Sequence, residues 1–377
     1  MPIDKKLKIA VVSPRYGLVG GSEHFAMQIT ERLALNPEYA IHVFANQWQP
    51  FSDRITFHKY PIVKFPRYLQ PISTAFFVKK MISKHNFDII HTHERIFEAD
   101  IYSIHGLPHQ YWIKNIRKKK WLSLFDFCTH WVETKLVKNP RCQHFLSVSN
   151  STKNIFSESF QIPLNNIQIV PPGVDLNKFL SYDRQKCRHE IRERLGLKTN
   201  DIMILFVGMN FEIKGLTHIM KAISKTLQKD LNSSLKLVVV GKGNYDYFQS
   251  LAYQLNIQDH IQFTGIIHED IEKIYLASDI FSMLSEFDTF GMTVLEAMAA
   301  SIPVIVSKNV GAKDIVEHGI NGYIVEAEDI EQISSYIYDL LSFKHRDKLS
   351  KAAYQTALEY TWDNTADHLK KIYETYK

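Results

Sequence analysis

The chain has 377 residues, more than one hydrophobic core usually organises, so two domains are expected. With 45% hydrophobic and 23% charged residues it is too apolar for a disordered chain. A net charge of +5 admits an anionic partner but is too mild to indicate a nucleic-acid binder.

Short apolar, β-branched runs alternate with longer helical patterns from end to end. The first strand, Lys8–Ser13, contains an apolar run too short for an export signal. It leads into Gly17-Leu18-Val19-Gly20-Gly21-Ser22-Glu23 and a helical pattern through Leu33. Glycines between a strand end and a helix N-terminus let backbone N–H groups reach a phosphate, although a plain tight turn accounts for them equally. The G-x-G-x-x-G spacing of dinucleotide sites is absent, and the second strand, Ile41–Ala45, is followed by Asn46 rather than an acid.

The strand Asp88–His93 carries His91-Thr92-His93-Glu94-Arg95, and Asp100 through His105 and Gly106 follow. His91 and His93 share one strand face, a spacing that a metal could use, but no further ligands stand at convincing spacing and no metal is expected. His105 ends a strand that enters a glycine loop; a packed histidine and a functional one are both open here. The run Lys114–Lys120, with Arg117 inside it, is a solvated face or, given Tyr111, Trp112, Trp121, Leu122 and Phe125 around it, an anionic lipid interface.

After the strand His144–Ser149, the stretch Val170-Pro171-Pro172-Gly173-Val174-Asp175 can continue neither a helix nor a central strand. A complete strand–helix series on each side favours a hinge, giving domains 1–168 and 169–360, with the last helix, about 361–377, able to pack back on the first. The later strands are Ile202–Gly208, Lys236–Gly241, Ile261–Gly265, Asp279–Leu284, Pro303–Ser307 and Gly322–Val325. All are apolar on both faces, as expected for parallel sheets covered on both sides by helices. The cysteines Cys128, Cys142 and Cys187 form no CxxC pair and suit a reducing cytoplasm. No apolar stretch approaches the ~18 residues of a membrane span. A cytoplasmic protein, at most peripheral on the inner membrane face, is expected.

The sharpest constellation is Asp288-Thr289-Phe290-Gly291-Met292-Thr293-Val294-Leu295-Glu296, which follows a strand and so lies at the carboxyl edge of a parallel sheet, where open α/β proteins bind ligands. Gly291 permits close backbone approach to a phosphate, Glu296 can accept two hydrogen bonds from a ribose diol, and Asp288 can accept from sugar hydroxyls. Against this, Asp288 suits a helix N-cap and Glu296 a dipole-favoured surface acid. Glu296 lies in an otherwise apolar run, Val294–Ala300, which favours the ligand reading.

The stretch Ser285–Ser307 resembles the signature of glycosyltransferase family 4, retaining enzymes of the GT-B fold that include the lipopolysaccharide-core glucosyltransferases. An acid, seven residues, a Glu and a later "PV" strand appear as Asp288, Glu296 and Ile302-Pro303-Val304, with Asp in place of the commoner first Glu. Gly20-Gly21-Ser22-Glu23, Val148-Ser149, Pro172-Gly173-Val174-Asp175, Val207-Gly208, Lys214-Gly215, Gly311 and Glu317-His318-Gly319-Ile320-Asn321-Gly322 match in the same order. The resemblance implies two Rossmann-like, doubly wound parallel-sheet domains facing across a cleft, a UDP- or GDP-sugar as donor, and a glycan or glycolipid as acceptor. It further implies a hexose-type sugar transferred with retention and without a metal or other cofactor, with lipopolysaccharide core among the acceptors.

By the same resemblance, Lys214 neutralises the leaving diphosphate, Asp288 holds the donor sugar, and His105 stands on the acceptor side near the reacting carbon. Gly20, Gly21, Phe290, Gly291, Met292, Thr293 and Glu296 hold the donor, and His93, Glu94 and Asp100 stand on the acceptor side. The arginine usual before the lysine is missing, since Met209 and Ile213 occupy its places. Backbone N–H groups of Gly21 and Gly291–Thr293, or another cation, would have to replace it. A nucleotide-sugar epimerase or hydrolase of the same fold and a non-catalytic sugar-nucleotide-binding protein are the rival readings.

Overall fold

The computed structural model describes residues 6–18, 20–49, 52–230, 234–267 and 269–376. The chain divides into two compact units, residues 1–172 together with 362–377, and residues 173–361. The division falls within the Pro171-Pro172-Gly173 stretch, and the C-terminal segment belongs to the first unit.

The first unit is built on a seven-stranded parallel sheet. Its strands are β1 (Leu7–Val12), β2 (Tyr39–Ala45), β3 (Thr56–Lys59), β4 (Ile89–Thr92), β5 (Ile101–Ile104), β6 (His144–Ser147) and β7 (Ile167–Ile169). They lie in the order β3-β2-β1-β4-β5-β6-β7. Helices α1 (Gly21–Leu33), α2 (Leu69–Ile82) and α3 (Leu124–Val137) cover it. Ser123 and Asp126 form a reciprocal capping box at the start of α3, satisfying backbone donors that the helix itself leaves open.

The second unit holds a six-stranded parallel sheet of β8 (Ile202–Met209), β9 (Leu235–Lys242), β10 (Ile261–Gly265), β11 (Ile280–Met283), β12 (Val304–Ser307) and β13 (Gly322–Val325). The order is β10-β9-β8-β11-β12-β13. Its helices include α4 (Leu216–Lys229), α5 (Ile271–Ala277) and α6 (Met292–Ala299). On α4 the buried Leu216, Ile219, Met220, Ile223 and Leu227 recur at helical spacing and face a core with Phe206, Leu237 and Val239. The final helix, α7 (Trp362–Glu374), packs in the first unit against α1, where Phe25 meets Trp362 at 5.7 Å between ring centroids and Arg32 pairs with Asp363 at 2.6 Å.

In each sheet the order grows outward in both directions from the first strand of the unit. Connections reverse between β1 and β4 in one unit and between β8 and β11 in the other, and loops leaving the carboxyl ends of those strands part there.

Candidate active site

The β8–β11 reversal in the second unit gathers the signature residues. The loop after β8 turns through Asn210 (φ 68°) to Lys214, and Glu286 N–H donates to the Ile213 carbonyl, tying this loop to the one after β11. Gly215 then opens α4 at φ 78°, where a Cβ would lie 2.0 Å from the Leu284 carbonyl oxygen, so only glycine fits. The Lys214 ammonium forms an ion pair with Asp288, both groups half-buried. The Asp288 backbone is braced by Asn309 and Gly311, and its other carboxylate oxygen accepts from the Phe290 N–H at 3.2 Å.

Gly291, at φ 93°, caps α6, and a Cβ there would press on Val310 at 2.9 Å. Beyond it the first N–H groups of the helix, those of Met292 and Thr293, have no acceptor within the helix. Glu296 follows in the second turn and accepts from the Tyr275 hydroxyl of α5 at 2.7 Å. Burial, with a smaller push from Glu272, raises the Glu296 carboxyl above its usual range, against the opposing effects of Tyr275 and Lys178. Tyr275 has no counterpart in the sequence reading. It stands 21 positions upstream on another helix, and no local pattern pairs it with Glu296.

At the β1–β4 reversal of the first unit, His93 and Glu94 follow β4, and His105 follows the adjacent β5. His91 is fully buried, its two ring nitrogens engaged with the hydroxyls of Tyr373 at 2.6 Å and Ser103 at 2.8 Å, so it is a core histidine. His93 Nδ1 lies 2.8 Å from His105 Nε2. Burial holds all three rings neutral, with His91 lowered to about 3, His105 to about 4 and His93 well below the usual histidine range. Among the described residues no group of three or more His, Cys, Asp or Glu side chains is arranged to hold a metal.

The loop beyond His105 is pinned from α3. Glu133, 1% exposed, accepts from Arg95 at 2.8 Å and from the His109 N–H at 2.8 Å, while Arg95 also donates to the Leu107 carbonyl. Burial works against the Arg95 charge, and Glu133, with Tyr102 and Glu94, more than restores it.

Two residues proposed from sequence sit differently. Asp100 precedes β5, at the amino edge of the sheet, whereas His93, Glu94 and His105 lie at the carboxyl edge. It accepts from the Ile90 N–H at 2.7 Å and holds Arg141 through two bonds of 2.7 and 2.9 Å. It is a structural acid, and its placement on the acceptor side is corrected accordingly. Asp88 does the same before β4, accepting from the Lys8 N–H, and Asp279 before β11, accepting from the Met203 N–H. At the glycine loop, Gly20 and Gly21 do lead into α1, but the Glu23 carboxylate lies over Gly20, where a Cβ would meet it at 2.1 Å. That acid faces the helix N-terminus that a phosphate would use. Val19 lies outside the described residues.

Known proteins resemble both units of the chain. Residues 19–178 match the family described as Glycosyltransferase Family 4, and residues 188–356 match the family described as Glycosyl transferases group 1. Together the two models span most of both units, so the chain is similar to glycosyltransferase family 4 over most of its length. Its two sheets are those of the GT-B fold: the crystal structure of WaaG, a glycosyltransferase involved in lipopolysaccharide biosynthesis, matches with a TM-score of 0.80 at 18% identity, over 97% of this chain and 99% of that one.

Among curated family relatives, an uncharacterised glycosyltransferase of Methanocaldococcus jannaschii is 30% identical over 62% of this chain. The alignment spans 60% of that relative, less than two thirds of its length. A UDP-Gal:alpha-D-GlcNAc-diphosphoundecaprenol alpha-1,3-galactosyltransferase of Escherichia coli is 25% identical over 92% of this chain and 91% of its own. Among the described residues no helix is long and apolar enough to cross a membrane.

Proposed function

We propose that the chain transfers a hexose-type sugar from a nucleoside-diphosphate sugar to a glycan or glycolipid acceptor, with retention at the anomeric carbon and without a metal. The observation that carries this is the convergence of Lys214, Asp288, the Gly291 helix start and Glu296 at one strand reversal. The ribose diol donates to Glu296, and the diphosphate lies against Lys214 and the first N–H groups of α6. Phosphate oxygens then compete with Asp288 for the lysine, which leaves Asp288 to accept from hydroxyls of the donor sugar. As the glycosidic bond breaks, negative charge grows on the leaving diphosphate, and Lys214 and the helix terminus stabilise that charge more than the ground state. Lysine and helix dipole supply the positive charge that a divalent ion would otherwise bring. Glu94 and His105 serve the acceptor side.

The E. coli relative acts, by its name, on a UDP-sugar and a lipid-linked diphosphate acceptor, which supports a uridine donor and a glycolipid acceptor here, lipopolysaccharide core among the candidates. Thermal-shift measurements with UDP-, GDP- and ADP-sugars test the reading. One donor class should raise the melting temperature by mass action, undiminished in EDTA, and no shift with any nucleotide would remove the donor site.

Binding should also depend on pH. The Glu296 carboxyl is held above its usual range, so it takes up a proton sooner than a free glutamate as pH falls and then accepts fewer hydrogen bonds. Nucleotide affinity is expected to weaken as pH drops through that raised value, and Glu296→Gln should bind weakly with a flat profile. Calorimetric titration across mildly acidic pH reads this directly.

A lipid-linked acceptor gives the basic run a purpose. Lys114, Arg117, Lys118, Lys119 and Lys120 are all exposed, and Trp121 (87% exposed) and Leu124 stand beside them, with Phe127 continuing along α3. Trp112 is half-buried, so Trp121 is the better interfacial anchor of the two tryptophans flanking the run. Each clustered cation contributes about 1 kcal/mol at an anionic surface. Salt-sensitive sedimentation with anionic vesicles is expected, lost when Lys118, Lys119 and Lys120 become alanine, with turnover on a soluble acceptor retained. Equal sedimentation of the triple variant would make the run a solvated face.

A further inference from the structure

His93 and His105 reach the carboxyl edge of the first sheet from neighbouring strands, and their rings meet edge to edge. The Nδ1···Nε2 distance is 2.8 Å, the centroids are 5.1 Å apart and the ring planes differ by 18°. Such a contact between two neutral imidazoles holds one proton, supplied by one ring and accepted by the other. The remaining nitrogens decide which.

His93 is 9% exposed, and its Nε2 is buried with no hydrogen-bond partner. An N–H is the group least often left orphaned in a protein interior, while an unfilled acceptor is better tolerated. His93 Nε2 is therefore the bare lone pair, the proton sits on Nδ1, and His93 donates to His105 Nε2. A neutral imidazole carries one N–H, so His105 carries its own on Nδ1. Among the described residues no group accepts that proton. Phe25 packs edge-on against the His105 ring at 4.8 Å and limits its rotation.

We propose that His93 is a positioning residue that holds His105 in the Nδ1–H tautomer, so that His105 presents a hydrogen-bond donor, and not a general base, to a sugar hydroxyl. The tautomer is dictated by the other partner of the ring, as when a buried acid sets the tautomer of a catalytic histidine. The use of the free N–H by a sugar rests on the glycosyl-transfer reading; the tautomer does not.

Long-range proton–nitrogen NMR on the full chain labelled with ¹⁵N-histidine tests the proposal, with the His105→Gln spectrum assigning the ring. Wild-type His105 should show a protonated Nδ1 and an unprotonated Nε2. His93→Asn, whose amide places an N–H where Nδ1 stood, should keep that pattern. His93→Leu, which removes the donor, should release His105 to carry its proton on Nε2. In turnover, His93→Leu is expected to lower kcat about tenfold with KM little changed, and His93→Asn to recover most of the loss. A protonated Nε2 in wild-type His105, an unchanged tautomer in His93→Leu, or equal kcat in the Leu and Asn variants would overturn it. Wild-type protein with the expected tautomer and no turnover of any nucleotide sugar would sink the transfer reading alone.

Discussion

Lys214→Ala is expected to lower kcat by about 10²–10³ while weakening nucleotide binding far less. In the proposed reaction the lysine faces charge that grows as the diphosphate leaves, so its effect belongs mainly to the transition state. The fold should tolerate the change, because the Lys214–Asp288 pair is partly exposed and such pairs contribute little to stability. Asp288→Ala should cost a comparable factor if, as proposed, the carboxylate holds the donor sugar. The two losses should not multiply in the double variant, because each side chain orients the other. Steady-state kinetics on purified variants, with circular-dichroism melts as a folding control, read all three. An unchanged kcat with only a raised KM would return Lys214 to a binding role.

The largest expected effect on folding lies at the opposite edge of the same sheet. Asp279 is buried where β11 begins, and it binds Arg192 at 2.5 Å, Arg188 at 2.8 Å and the Met203 N–H at 2.9 Å. Burial lowers the Arg192 pKa, and Asp279 offsets part of that cost. Asp279→Ala leaves a guanidinium that is 4% exposed without its counter-ion, a loss of about 3–5 kcal/mol. For a unit of this size the melting temperature should fall by roughly 6–20 °C. Below that melting point kcat should stay close to wild type, because the proposed reacting groups lie at the other ends of the strands. A melting temperature within a degree of wild type would show that Asp279 is dispensable.

Asp288 and Asp279 are nine residues apart in one segment, and their different fates mark what a linear pattern can convey. Both are acids beside an apolar run. The acid after the strand reaches the carboxyl edge and its ligand loops, and the acid before it caps the neighbouring strand. Asp279 was legible only as a strand start, and Asp100 was assigned to the acceptor side although it plays the Asp279 part before β5. The strand containing Asp100's successors was legible; the side chain's partner Arg141, 41 positions away, was not.

Much of the architecture is written locally. Runs such as Ile202–Gly208 and Pro303–Ser307 are apolar on both faces because both faces are buried, and that alone implies parallel sheets under helices. Asp288, Gly291 and Glu296 sit on one short segment, so their spacing carries the proposed donor site without knowledge of the fold. The glycine at 215 is likewise implied by the family pattern, but the reason for it, the Leu284 carbonyl 2.0 Å from a would-be Cβ, lies 69 positions downstream.

The sequence by itself conveyed the fold class, the family resemblance and the segment proposed for the donor, because each depends on periodicity or on residues a few positions apart. Tertiary structure alone decided the pairing of Lys214 with Asp288, of Tyr275 with Glu296 and of His93 with His105. It also decided which acids cap strands and which histidine is core. These contacts join side chains 12 to 74 positions apart. Strand order and the direction of each crossover bring them together, and neither leaves a periodic trace along the chain.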